Sequence, residues 1–210
     1  MNWCFKIAAG FVFLSAIVLG LASLIRYFVL DPVAGNQIII DQGLEMYTME
    51  YKPWKYALYI HIITASIAIL IGPIQFLLNK TGTRRLSIHR SLGKLYVIAI
   101  AISGLAGVYL SMYAFGGFLS KLGFFALSIS WLVTTYLAYY YIRQKNIPLH
   151  QEWMYRSYAV TLAAVTFRIW SALIGYTLDN FTVGYVGAIW LALTGNLILA
   201  EMWIRKKRNN

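Results

Sequence analysis

The sequence predicts an all-α fold, a bundle of six transmembrane helices with both termini in the cytoplasm. Three observations carry that expectation. Of 210 residues, 60% are hydrophobic and only 12% charged, roughly half the charge of an ordinary soluble domain. Apolar stretches recur at 7–29, 56–78, 95–114, 122–142, 157–176 and 182–204, each close to the roughly 20 residues that a helix needs to cross a bilayer. The cations, finally, alternate with these stretches from one connection to the next.

Taken in order, the first span follows Lys6. Its apolar run is too long for a secretory h-region, and Gly20-Leu21-Ala22 is a weak cleavage site, so it is expected to stay as a helix. The connection 31–55 that follows carries Asp31, Asp41, Glu45 and Glu50 and is expected outside; its length marks it as a functional loop or lid. The second span exits into Lys80, Arg84, Arg85, Arg90 and Lys94. Between the third and fourth lies Lys121. The fourth is followed by Arg143, Lys145 and Arg156, the fifth by Asp179, and the sixth by Arg205, Lys206, Lys207 and Arg208. The whole chain, 1–210, reads as one integral membrane domain in a bacterial inner (plasma) membrane, with the lipid bilayer as its surroundings.

The net charge of +11 is accounted for by these juxtamembrane cations, which meet anionic headgroups. No aromatic-basic platform for nucleic acid accompanies them. Cys4 is the single cysteine and, on the reducing side, reads as a small apolar residue. Ser103 and Gly107, Ser171 and Gly175, and Gly184 and Ala188 lie four apart, the spacing that lets helix backbones approach in lipid. No fixed-period repeat is present, and no span carries a Gly/Pro break at its centre.

Three groups of residues can carry chemistry. Arg168 lies in the outer half of span five, where a guanidinium is costly and is expected to face the protein interior or a wet cavity. It reads either as a helix-helix bridge or as an anion or quinone-carbonyl site. Gln75, His89, His150, Asn196 and Glu201 fall towards the cytoplasmic face. His89 and His150, at the mouths of spans three and five, either cap helices and meet headgroups, or act as axial ligands of a haem. Glu201 suits an ion pair with Arg90 or Arg156. His61, entering span two from the other face, joins Met46 and Met49 as a soft-ligand set for copper, against their simple reading as packing residues. Neither a structural zinc pattern nor a nucleophile elbow occurs.

Over residues 56–204 the chain resembles the bacterial membrane-protein family known as domain of unknown function 2306. The resemblance is carried by His61, Gly72-Pro73-Ile74-Gln75-Phe76 and His89-Arg90-Ser91-Leu92-Gly93-Lys94-Leu95-Tyr96. It extends through Phe115-Gly116-Gly117, Trp131 with Thr134, His150 with Trp153, Met154, Arg156, Ser157 and Tyr158, and then Arg168, Asn196 and Glu201. Lys94 stands where the pattern leads one to expect Arg. The resemblance implies a six-helix membrane protein and no activity. More distantly, a histidine pair on alternate helices is similar to the cytochrome b561 arrangement, which uses four histidines for two haems. This chain has three, enough for one bis-histidine site.

The leading expectation is therefore a small redox protein, or an accessory or assembly factor of a respiratory complex. It would hold one haem b between His89 and His150, with Arg90 or Arg156 facing the propionates. The rivals are a transporter for a small anionic solute or protons, using Arg168, Gln75, Asn196 and Glu201, and a non-catalytic scaffold subunit.

Overall fold

The computed structural model describes residues 3–28, 52–78 and 83–209. In hydrocarbon each backbone polar group must be satisfied within its own segment, so long apolar stretches become helices. Among the described residues these are α1 (Trp3–Phe28), α2 (Lys52–Leu78), α3 (Thr83–Ser111), α4 (Gly117–Arg143), α5 (Ile147–Thr161), α6 (Ala163–Thr177) and α7 (Phe181–Arg208). Five of the resulting segments are long and apolar enough to cross a membrane: Lys52–Phe76, Leu86–Ser111, Gly117–Arg143, Ile147–Thr177 and Phe181–Arg208. In α1 the apolar stretch that registers is the shorter Ile17–Arg26.

The chain runs up and down, with α2 beside α1 and α3, α3 beside α4, α4 beside α5, and α7 against α4, α5 and α6. Local sequence explains the turns. Gly116 and Gly117 take φ of 91° and 79°, left-handed values that glycine adopts freely, and reverse the chain before α4. The side chain of Asn146 accepts from the Leu149 amide at 3.2 Å to open α5, and Asn180 accepts from Val183 at 3.0 Å to open α7, both as N-caps. His150 therefore caps nothing and sits a turn inside its helix. Lys52–Lys55, expected in the outer connection, form the first turn of α2.

Span five is longer than expected, Ile147–Thr177, and its helix is interrupted at Leu162, although neither Gly nor Pro is there. Asn196 of α7 supplies the reason. Its Nδ2 donates to the carbonyl of Ala159 at 3.0 Å and to Thr166 Oγ1 at 3.0 Å, one contact on each side of the junction. A side chain that enters the carbonyl ladder of a neighbouring helix bends it. The buried core lies on the α5 side of this bend, where Ala68, Ile71, Tyr96, Ala99, Ile100, Trp131, Tyr158 and Val160 pack together.

Small residues set the closest approaches. A methyl on Gly184 would stand 2.6–2.8 Å from the backbone of Gly175 and the carbonyl of Ser171, so two of the small-residue pairs seen in the sequence face each other across α6 and α7.

Candidate functional site

The site forms where the C-terminal ends of α2, α4 and α7 meet the N-terminal ends of α3 and α5. Its scaffold starts with Pro73. Proline has no amide hydrogen, so within α2 it leaves the carbonyl of Ile69 without its helical donor. Tyr158 of α5 takes that place, its hydroxyl donating to Ile69 O at 3.3 Å. The ring of Tyr158 fills the space that a side chain on Gly72 would occupy, since a Cβ there would lie 2.0 Å from it. Phe76 then stacks on Tyr155, centroids 5.4 Å apart and nearly parallel, and meets Tyr158 edge-on at 5.5 Å. The segment Gly72-Pro73-Ile74-Gln75-Phe76 is thus a dock for α5.

Gln75 docks the other partner. It is 4% exposed, and its Nε2 donates to the backbone carbonyl of His89 at 3.0 Å. Two side-chain atoms here are buried without a hydrogen-bond partner, Gln75 Oε1 and His89 Nδ1. His150 has a defined tautomer. Its Nδ1 lies 2.8 Å from the carbonyl of Ala138, and a carbonyl only accepts, so Nδ1 carries the hydrogen and Nε2 the lone pair. His89 lies in the second turn of α3 and His150 in the first turn of α5. Of the five polar residues expected at this face, Gln75 and His89 are in direct contact, and His150 lies in the first turn of α5.

The other two belong elsewhere. Glu201 pairs with Arg156, whose Nη2 donates to Oε2 at 3.1 Å. Arg156 also approaches Glu152 at 4.0 Å and lies over the Trp153 ring, 4.4 Å from its centroid. Glu152 is held in addition by Arg208, and Lys207 reaches Gln151 at 2.9 Å. This is the ion pair anticipated for Glu201, with Arg156 and not Arg90 as its partner, and it leaves Arg156 committed to carboxylates. Arg90 is exposed at the same end. Asn196 is deeper, at the bend.

Between these ends runs a buried hydroxyl ladder. Trp131 Nε1 donates to Thr161 Oγ1 at 2.8 Å, and Thr161 donates to the Ser157 carbonyl at 2.9 Å. With that hydrogen used, the Tyr96 hydroxyl at 3.1 Å must be the donor to Thr161. Ser157 then donates to Tyr96 at 3.0 Å, and Thr135 to Ser157 at 2.7 Å. Each hydroxyl has one hydrogen, so the ladder points one way. It ties α3, α4 and α5 together. Of its members, Thr161 and Thr135 drew no notice in the sequence, yet Trp131 with Thr135 and Ser157 with Thr161 are both i,i+4 pairs, a signal for one polar helix face.

His61 and Arg168 lie in the other half of the bundle. His61 Nδ1 is 2.9 Å from the Ser103 carbonyl, which makes Nδ1 the protonated nitrogen, and 3.0 Å from Ser103 Oγ. Its ring meets Trp131 edge-on with centroids 6.4 Å apart. Met46 and Met49 lie outside the described residues. Arg168 is exposed. Its Nη1 donates to the carbonyl of Ala164, one turn back on its own helix, at 2.6 Å, and it is near enough to act electrostatically on His61. Among the described residues, no group of three or more His, Cys, Asp or Glu side chains gathers.

No curated protein and no solved structure matches the chain. A family model described as predicted membrane protein (DUF2306) matches residues 58–204, a range that contains the α2 dock, both histidine-led segments, the hydroxyl ladder and the bend. The chain belongs to that family.

Proposed function

We propose that this protein spans the bacterial inner membrane six times, with its basic end and both termini in the cytoplasm. In this reading it is a small redox or respiratory accessory protein that holds one haem b between His89 and His150. The posture of the two imidazoles carries the proposal. His150 donates Nδ1–H to a backbone carbonyl and leaves Nε2 as a lone pair, the second-shell arrangement typical of ligating histidines. His89 offers a buried Nδ1 with no partner, on a different helix from His150. This donor set fits an iron with two axial histidines, and the bound group would supply one-electron chemistry. The chain's own residues would hold it: Ala138 fixes the His150 tautomer, and Arg90 would be the cation left for propionates once Arg156 is committed to Glu201.

A reduced-minus-oxidised visible spectrum of the purified protein, with haem content measured on the same sample, tests this reading. A stoichiometric signal lost in both His89→Ala and His150→Ala is the expected result. A folded, colourless, metal-free preparation overturns it.

A second reading, transport of a small anionic solute or protons, is favoured by the bend at Leu162. Discontinuous helices near the membrane midplane are where transporters build their sites, and the bend has Asn196 bridging both halves. In proteoliposomes, solute or proton flux abolished by Asn196→Leu with the fold retained would select this reading.

A further inference from the structure

We propose that Gln75 is the positioning residue of the His89–His150 pair, and that with its neighbours Gly72 and Phe76 it sets the separation of the two imidazoles. The role assigned here rests on the haem reading, but the geometry behind it does not. Gln75 grips the residue that bears the imidazole at its main chain, through Nε2 to the His89 carbonyl. It is almost fully buried, so the amide has no competing water. Gly93, one turn further along α3, leaves it room: a Cβ there would lie 3.6 Å from Gln75 Nε2.

Three neighbours of Gln75 hold α5 by an independent set of contacts. Gly72 accepts the Tyr158 ring, Pro73 frees Ile69 to accept its hydroxyl, and Phe76 stacks on Tyr155. Tyr155 and Tyr158 follow His150 on a single helix, so fixing them fixes it. One rigid stretch of α2 therefore holds both histidine-bearing helices. Tyr96 still ties α3 to α5 two turns further on, so loss of the Gln75 amide frees only the opening turns of α3, and the His89 imidazole should drift from His150 without loss of the fold.

The test uses full-length protein in mild detergent with Cys4→Ser, His89→Cys and His150→Cys. The Gln75 contact goes to the backbone of residue 89, so it survives the cysteine substitution. Cross-linking of the two cysteines by a short bifunctional thiol reagent is timed with and without Gln75→Leu. The rate is expected to fall about fivefold, the equivalent of one net hydrogen bond. Ile74→Ala, at an exposed neighbouring position, should leave it unchanged. Gln75→Met, of similar length and without a donor, serves where the leucine variant fails to fold. A rate within twofold of the parent in a folded Gln75 variant overturns the proposal. In protein carrying both histidines, the midpoint potential of the bound haem should move in Gln75→Leu and stay in Ile74→Ala; an unmoved potential also counts against Gln75. A wild-type protein without haem sinks the functional reading alone, because the cross-linking rate still decides the role of Gln75.

Discussion

α5 and α6 are two halves of one membrane span, yet they are held by opposite means. Ser157, Tyr158, Val160 and Thr161 of α5 are all buried, and three of them spend their hydroxyls on other helices or on the ladder. In α6 only Ala163 is buried, and the helix is lodged against α7 by the near-contact of Gly184 with Gly175. Polar bonds in a membrane give direction, because an unmet hydroxyl has no water to turn to. Glycine contacts give proximity through van der Waals packing without such direction. The half that carries His150 is thus clamped in register, while the half that carries Arg168 keeps the Asn196–Thr166 bond to α7 and otherwise leans on close glycine packing.

The largest effect should come from breaking the clamp at its tightest point. Gly72→Ala places a methyl inside the Tyr158 ring, and overpacking of this kind costs about 1–3 kcal/mol. A lowered Tm in detergent, with faster proteolysis around the α2–α5 contact, is the expected outcome. Gly184→Ala is the matching test on the lodged half. It should push α6 from α7 and raise hydrogen exchange across 163–177 while exchange across 147–161 stays put. Equal loosening of both helices would show that span five behaves as one body and would end the comparison.

Thr161→Val follows in size. It removes the acceptor shared by Trp131 and Tyr96 and leaves the indole hydrogen unmet, at about 1–2 kcal/mol. Reversible unfolding should report the loss, and a shift in Trp131 fluorescence should accompany it. The smallest effect is expected at the basic end. Arg156→Gln releases Glu201, whose side chain is 41% exposed, so solvent screening keeps the cost below about 1 kcal/mol. Arg208→Gln, at a fully exposed cation, should leave Tm unchanged within error.

Much of this architecture is legible in the sequence because the bilayer imposes a length and the loops carry the sign of their side. The bend in span five is not, since its cause is Asn196, far away in the chain, and no Gly or Pro marks Leu162. The same division holds within the candidate site. His89, His150 and Gln75 stand out as polar residues at the ends of apolar runs, but the bond from Gln75 to the His89 carbonyl does not, because a backbone acceptor leaves no mark in the sequence. Arg156 with Glu201 was anticipated by charge. Thr135 and Thr161 look like ordinary small residues of apolar helices, and only the arrival of Tyr96 between them makes them a ladder. Arg168 stands out by its cost in hydrocarbon, while its bond back to the Ala164 carbonyl of its own helix is a local contact that cost alone does not reveal.

Pro73 has one more consequence, for descent. Its missing hydrogen creates the acceptor that Tyr158 uses, and Gly72 beside it creates the space for the ring. Neither glycine nor proline is tolerated cheaply in a helix without that tyrosine, and the tyrosine has no seat without them. The three positions therefore form a single unit of inheritance: lineages that lose Tyr158 should relax to ordinary helix formers at 72 and 73, and lineages that keep it should keep all three.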